Sequence, residues 1–220
     1  MKHLKLNLLA LLSFIYLLNP SQLHARDGIN TAWKVGLSGH IYKKFSFLVE
    51  EDLRMQQDFS GVEWSFTTAE IRYKPLKFLT IGTAYMFIDK LDKSGEKRHR
   101  YLFYATAAKK VGAFRFSVRE RFQSTFKENS QTPSNFFRSM FTVAYSIDKL
   151  NISPFVYAET FNNTLKGKHF SLDRVRLSCG IDYALNKHSI FQLYYRYHIF
   201  EAPDPVNYKN TIGVGYTYKL

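Results

Sequence analysis

The chain has 220 residues and is poor in cysteine, which excludes one common way of holding a fold together. Cys179 is the single cysteine, so no disulfide can form within the chain. The fold must therefore be stabilised by backbone pairing and side-chain packing.

Long apolar runs are also scarce. After residue 18 no run of about 18 apolar residues occurs, which excludes a helical membrane protein. The one compact apolar run, residues 6–18, follows a short basic start and precedes a turn-prone segment that ends in a small residue, Ala25. This order is typical of a secretory signal peptide. We predict that residues 1–25 are a signal peptide and that residues 26–220 form one domain.

Acidic residues are few, with 18 Asp and Glu against 31 Lys and Arg, a net charge of +13. A basic balance is compatible with nucleic-acid binding, but export argues against that partner, and no nucleic acid is expected. Aromatic residues reach 17% of the chain, whereas disordered chains are poor in them. A folded and exported protein is indicated.

An alternation of period two runs through the chain, and residues 114–122 (FRFSVRERF) display it clearly. Phe or Val holds four of the five even positions, and Arg holds three of the four odd ones. Successive side chains of a β-strand point to opposite faces, so this pattern predicts a strand with one aromatic and one basic face. Similar segments recur from residue 31 to residue 220, roughly eleven in all, and most approach the 9–11 residues that cross a bilayer as a strand.

The connections between these segments alternate in length. The short connections are residues 42–44, 74–77, 109–112, 148–150 and 186–188. The long connections are residues 56–61, 89–98, 127–135, 162–171 and 201–210. Short periplasmic turns and long outer loops are typical of outer-membrane barrels. We predict an all-β fold, a closed antiparallel transmembrane β-barrel of about 10–12 strands. Even strand numbers are usual in such barrels, which favours ten or twelve strands. The short turn after the first segment would place the start of the chain on the outer side of the membrane.

The aromatic faces are predicted to meet lipid, and the charged faces to line the lumen. One arginine at the lipid midplane costs about 2–4 kcal/mol, so the charges specify which face is inside. The predicted lumen-lining residues are Arg72, Arg115, Arg119, Arg121, Arg138, Arg174, Arg176, Arg196, Glu50, Asp52, Glu70, Glu159 and Asp182. Glu120 falls on the lipid-facing parity, which predicts either a position near the rim or a β-bulge that resets the phase.

Several short motifs resemble one protein family. They are DGINTAW (27–33), KKFSFLVEEDLR (43–54), YKPLKFLTIGTAY (73–85), FRFSVRERF (114–122) and SPFVYAETF (153–161). On these motifs the chain resembles the DUF2490 family of Bacteroidetes, whose function is uncharacterised. The resemblance implies an outer-membrane barrel and supplies no catalytic residues. The terminal residues 216–220 resemble the insertion signal that the barrel assembly machinery reads.

Four functions remain open. A structural barrel, filled by paired charges, and a narrow anion-preferring channel are the leading hypotheses. A lipid-modifying barrel enzyme would need a nucleophile and a base, for which His188 with Ser189, or His198 with Glu201, are weak candidates. In a soluble periplasmic barrel the aromatic faces would line a pocket for an apolar ligand.

The expected partners are outer-membrane lipid, lipopolysaccharide and the barrel assembly machinery, and no cofactor or metal is expected. The basic residues assigned to outer loops facing lipopolysaccharide are Lys90, Lys93, Lys97, Arg98, Lys127, Lys166 and Lys168.

Overall fold

The computed structural model describes residues 29–55, 61–91, 95–128, 130, 132–164, 171–200 and 209–220. The predicted signal peptide, residues 1–25, lies outside the described residues. The described part contains eleven strands and a short 3-10 turn, Asp148–Leu150. The strands are β1 (Asn30–Tyr42), β2 (Phe45–Met55), β3 (Val62–Leu76), β4 (Leu79–Lys90), β5 (Lys97–Val111), β6 (Phe114–Lys127), β7 (Ser134–Tyr145), β8 (Ile152–Asn163), β9 (Ser171–Ala184), β10 (Ser189–Phe200) and β11 (Lys209–Lys219).

The strands close into a barrel in chain order, and β1 pairs with β11 to complete it. Every consecutive pair is antiparallel, whereas β1 and β11 are parallel, from Asn30 opposite Thr211 to Ser38 opposite Lys219. An odd number of strands in an up-and-down barrel makes the first and last strands run the same way, so one parallel seam must result. The predicted closed barrel is confirmed, and its eleven strands lie inside the predicted range. The preference for an even count of ten or twelve is wrong, and the parallel seam differs from the wholly antiparallel expectation. Closure leaves no unpaired sheet edge.

Tight turns join the strands at one end of the barrel. Lys43 and Gly112 adopt positive φ angles of 44° and 60° in two of these turns, and Asn151 has a φ of 54° after the 3-10 turn. The other end carries the longer connections and also the start of β1. The chain therefore enters the barrel at the long-connection end, as the short first turn requires.

The two faces of the barrel wall differ in composition. Large apolar side chains on the outer face are exposed: Trp33 is 56% exposed, Phe103 58% and Leu193 55%. The buried apolar residues, such as Phe66, Tyr104 and Phe161, have the opposite parity and point into the barrel. An exposed apolar surface that surrounds the whole wall is what a lipid-facing barrel presents.

Both explanations offered for Glu120 are wrong. The pairing of β6 with β5 and β7 runs without a shift, so no bulge resets the phase there. Glu120 lies at the middle of β6 and faces outward, where it accepts a 2.6 Å hydrogen bond from the Ser139 hydroxyl. Glu51 also faces outward and accepts a 2.6 Å hydrogen bond from Thr67. Cross-strand hydroxyls thus solvate two outward carboxylates.

No helix in the described part of the chain is both long and apolar enough to cross a membrane.

Candidate functional site

A cavity of about 280 Å³ lies inside the barrel at the long-connection end. Its wall is formed by the first residues of β1, β3, β5, β9 and β11 and by the last residues of β2 and β10. We call it the arginine cavity because seven arginines line it: Arg54, Arg98, Arg100, Arg138, Arg174, Arg176 and Arg196. Glu63 is the one carboxylate among the described lining residues.

Strand periodicity brings these arginines together. Arg98 and Arg100 are two residues apart on β5, and Arg174 and Arg176 are two apart on β9, so both members of each pair face inward. Arg176 is directly opposite His198 on β10, which adds an imidazole to the cavity wall. The cavity is thus built by several strands that each contribute alternate residues.

Arg100, like Arg196, forms no ion pair with a carboxylate among the described residues. Its guanidinium donates to the Thr125 hydroxyl at 3.0 Å and approaches the Met86 sulfur at 3.6 Å. The charges that act on it most strongly are those of four other arginines, at positions 54, 174, 98 and 176. Arg100 therefore carries a positive charge that the described protein groups leave uncompensated.

Three other cavity arginines have acidic neighbours close in sequence. Arg98 is bidentate to Glu96, at 2.8 and 3.0 Å. Arg54 lies 3.5 Å from Asp52, and Arg174 lies 3.7 Å from Asp173. The hydrogen bond from Arg98 lowers the pKa of Glu96, which lies outside the strands, so this carboxyl is ionised at neutral pH.

Aromatic rings hold several guanidiniums in place. The Phe161 ring centroid lies 4.2 Å from both Arg138 and Arg174 and 4.8 Å from Arg176. Arg98 lies 4.8 Å from the centroid of Trp64. Such contacts attract cations to the ring face and restrict the rotamers of long side chains.

Next to the cavity is a layer of buried side chains, which we call the middle layer: Tyr104, Gln123, Arg138, Glu159 and Tyr194, of which Gln123 and Arg138 also line the cavity. Arg138 donates to Glu159 at 2.7 and 3.0 Å and to the Gln123 amide oxygen at 2.7 Å. Arg176 reaches the other oxygen of Glu159 at 3.1 Å. In contrast to Arg100, the two arginines of this network share a buried carboxylate.

Two tyrosines complete the middle layer, and each lies over the glycine directly opposite it on the neighbouring strand. The Tyr104 ring lies over Gly82, and the Tyr194 ring lies over Gly213, so closely that a Cβ at either glycine would clash with it. The Tyr104 hydroxyl donates to Glu70 at 2.6 Å. The missing side chains of the glycines thus let these large rings lie against the inner wall of the barrel.

The structure places the remaining predicted lumen residues along the inward face. Glu50 and Asp52 lie 3.4 and 4.0 Å from Lys34. Arg119 donates to Thr106 at 2.9 Å, and Asp182 accepts from Gln192 at 2.7 Å.

Three further predicted residues, Arg72, Arg115 and Arg121, do not line the arginine cavity. Arg72 pairs with Glu70. The Arg121 guanidinium lies 5.6 Å from the ring centroid of Tyr104. Arg115 is exposed at the tight-turn end. Only Arg138, Arg174, Arg176 and Arg196 of the predicted set reach the arginine cavity.

The sequence prediction missed Arg54, Arg98, Arg100 and His198 as cavity residues. Arg54 and Arg100 have the inward parity of their strands, so the alternation alone could have identified them. Arg98 was assigned to a loop because the start of β5 was predicted too late. Lys90, Lys97, Arg98 and Lys127 all lie on strand ends, contrary to their assignment to outer loops. Lys93, Lys166 and Lys168 lie outside the described residues.

Of the weak catalytic candidates, His188 and Ser189 make contacts with other groups rather than with each other. His188 Nδ1 lies 2.8 Å from the Lys219 carbonyl oxygen, and Ser189 Oγ lies 3.2 Å from the Tyr216 hydroxyl. Glu201, the suggested partner of His198, lies outside the described residues. Among the described residues no three His, Cys, Asp or Glu side chains are grouped as metal ligands would be.

Porins are similar to this barrel in structure. A NanC porin superposes with a TM-score of 0.57 at 12% identity, over 87% of this chain and 98% of the porin. An anion-selective porin from Comamonas acidovorans gives a TM-score of 0.40 at 7% identity, over 79% of this chain and 52% of the porin. A further porin gives 0.38 at 13% identity, over 80% and 58%. At these identities the first likeness shows a porin-like fold, and the other two add no argument.

Sequence comparison gives the family. No curated protein sequence is significantly similar to this chain. Residues 31–210 match the model of a family described as a protein of unknown function, DUF2490. The family resemblance seen in the sequence motifs is thereby confirmed, and the chain belongs to the DUF2490 family.

Proposed function

We propose that this protein is an outer-membrane β-barrel that acts as a narrow channel with a preference for small anions. The observation that carries the proposal is the arginine cavity inside the closed barrel, whose described lining includes seven arginines and one carboxylate. Rings of one charge inside a pore raise the local concentration of the opposite ion, so arginine favours anions. The exposed apolar outer wall supports a position in lipid rather than in water.

The proposed location in the outer membrane implies particular partners for export, insertion and surface contact. A signal peptide at residues 1–25 would direct export, and the barrel assembly machinery would insert the folded wall. Lipid would contact the outer face, and lipopolysaccharide would meet basic residues at the long-connection end, including Lys97 and Lys127, which are exposed. This end is the outer one if the tight turns face the periplasm.

A structural barrel is the second candidate, and the middle layer favours it. Arg138, Glu159 and Tyr194 are each at least 94% buried, so their side chains occupy space that an open pore would leave to water. A barrel of about this strand number has little bore once long side chains fill it. Conduction would then require that these side chains leave a path beside them.

Planar bilayer recordings separate the two candidates. The purified protein is added to bilayers with a KCl gradient, and current steps and the reversal potential are measured. The channel proposal expects small current steps and a reversal potential displaced towards that of chloride. Heat-modifiable, folded protein that inserts without current steps would refute the channel and support the structural barrel.

A further inference from the structure

We infer that the arginine cavity is a binding site for a small dianion, an oxyanion species such as hydrogenphosphate or a dicarboxylate. Arg54, Arg100 and Arg174 supply the principal contacts. The inference rests on the proposed function, because the anion would reach the cavity through the proposed channel. It adds to that function the chemical class of the ligand.

Among the described residues, positive charges outnumber negative ones at the cavity. Seven arginines line it. The described carboxylates that line the cavity or pair with one of these arginines are Glu63, Asp52, Glu96, Glu159 and Asp173. Two of these five acids, Asp52 and Glu96, also lie within 4.0 Å of Lys34 and Lys127. The described groups therefore leave a surplus of at least two positive charges, which favours a dianion over a monovalent anion.

Donors are available for the ligand. Arg100 has no carboxylate partner among the described residues, and its guanidinium contacts a hydroxyl and a thioether. The Arg54 Nε is buried without a hydrogen-bond partner in the described structure. Buried donors of this kind are normally satisfied, which points to an acceptor from outside the protein. Planar guanidinium groups match the paired oxygens of phosphate and carboxylate.

The donors are also held in place before a ligand arrives. Phe161 contacts the Arg174 guanidinium at 4.2 Å, and Phe66 contacts that of Arg54 at 4.0 Å. Ring contacts on two of the principal arginines reduce the side-chain entropy that binding would cost. The volume of about 280 Å³ lies near the lower end of small-molecule sites, so the cavity suits a ligand of few atoms.

Trp64 provides a direct signal because it lines the cavity. The other tryptophan, Trp33, faces outward and is 56% exposed, and Trp33→Phe leaves Trp64 as the only tryptophan. This variant, purified from membranes in detergent micelles, is titrated with sodium phosphate, succinate, acetate and chloride at constant ionic strength. The fluorescence of Trp64 is followed.

We expect saturable changes with hydrogenphosphate or succinate and none with acetate or chloride over the same range. Arg100→Gln in the Trp33→Phe background should weaken dianion binding about tenfold, the loss expected when one hydrogen bond to a charged group is removed. Arg115→Gln is the matched control, because Arg115 is an inward arginine that is exposed at the tight-turn end, away from the cavity. It should leave binding unchanged.

Three results would overturn the inference: no saturable response to either dianion by folded protein, equal responses to acetate, or equal weakening by Arg100→Gln and Arg115→Gln. Bilayer recordings keep this inference separate from the proposed function. Saturable dianion binding without any conductance would refute the channel and leave the site standing. Anion-selective conductance without saturable binding would refute the site and leave the channel standing.

Discussion

The arginine cavity and the middle layer next to it use the same side chain in opposite ways. In the middle layer Arg138 is matched to a buried carboxylate and an amide. In the cavity Arg100 meets a hydroxyl, a sulfur and other arginines. A buried arginine with a partner stabilises or fills a fold, whereas a clustered arginine without one is compatible with a role in recognition. The comparison predicts different consequences for substitutions in the middle layer and in the cavity.

The largest effect is expected in the middle layer. Glu159→Gln would leave Arg138 and Arg176 facing each other without their shared carboxylate, and should cost about 3–5 kcal/mol of unfolding free energy. Denaturant unfolding in lipid vesicles measures it. Asp182→Asn is the matched control, since this inward carboxylate accepts from an amide, Gln192, and should cost no more than about 1.5 kcal/mol. Equal losses of unfolding free energy in the two variants would contradict the role of Glu159 as the shared counter-charge of Arg138 and Arg176.

The next effect concerns the opening of the lumen. Tyr104→Ala removes a large inward-facing ring and should raise single-channel conductance several-fold. Tyr104→Phe keeps the ring and should conduct like the unaltered protein. Phe103→Ala removes a ring from the outer face one residue away, where Phe103 is 58% exposed, and should also leave conductance unchanged. If Tyr104→Ala conducts no better in folded protein, the middle layer does not limit the current.

A smaller effect is expected from the cavity. Arg100→Gln should reduce the anion preference seen in the reversal potential while changing the unfolding free energy little, because it breaks no ion pair among the described residues. Arg115→Gln should change neither quantity. A large loss of stability in Arg100→Gln would make Arg100 a structural residue and remove the contrast with Arg138.

The smallest effect is expected at the rim. Glu96→Gln breaks the ion pair with Arg98 where solvent screens it, so the loss should be at most about 1 kcal/mol. Because Arg98 lowers the pKa of Glu96 in the folded protein, this stabilisation is fully present above the ordinary pKa of 4.5 and is lost as the pH falls through the lowered pKa. The difference in unfolding free energy between the two proteins should therefore be smaller at about pH 3 than at neutral pH. An equal difference at both pH values would contradict the ion-pair account.

Much of the fold follows from the period-two pattern. The alternation around Val118 predicts strand, face and barrel together, because an arginine cannot point into lipid at low cost. Strand ends were harder to predict, since charged residues such as Lys90 and Arg98 continue the strands beyond the apolar part. The parallel seam depends on an odd strand count, which no local pattern specifies.

The candidate site was harder than the fold to predict from the sequence. Parity predicts that Arg100 and Arg138 share a face, but only the register of neighbouring strands decides that Arg138 meets Glu159 while Arg100 meets Thr125. Cross-strand contacts of this kind depend on strand offsets that the sequence does not display. Glu120 shows the same limit on the outer face, because its partner, Ser139, belongs to the next strand.

The most direct test of the whole account uses the two tryptophans, which lie on opposite faces of the wall. Trp33 and Trp64 are examined one at a time, in Trp64→Phe and Trp33→Phe proteins folded into vesicles. Brominated acyl chains are added as a lipid-phase quencher and acrylamide as an aqueous one. The account predicts that brominated lipid quenches Trp33 and spares Trp64, while acrylamide reaches Trp64 more readily than Trp33. The reverse pattern, with Trp33 shielded from lipid, would contradict the assignment of the aromatic face to the outside and of the arginine face to the lumen.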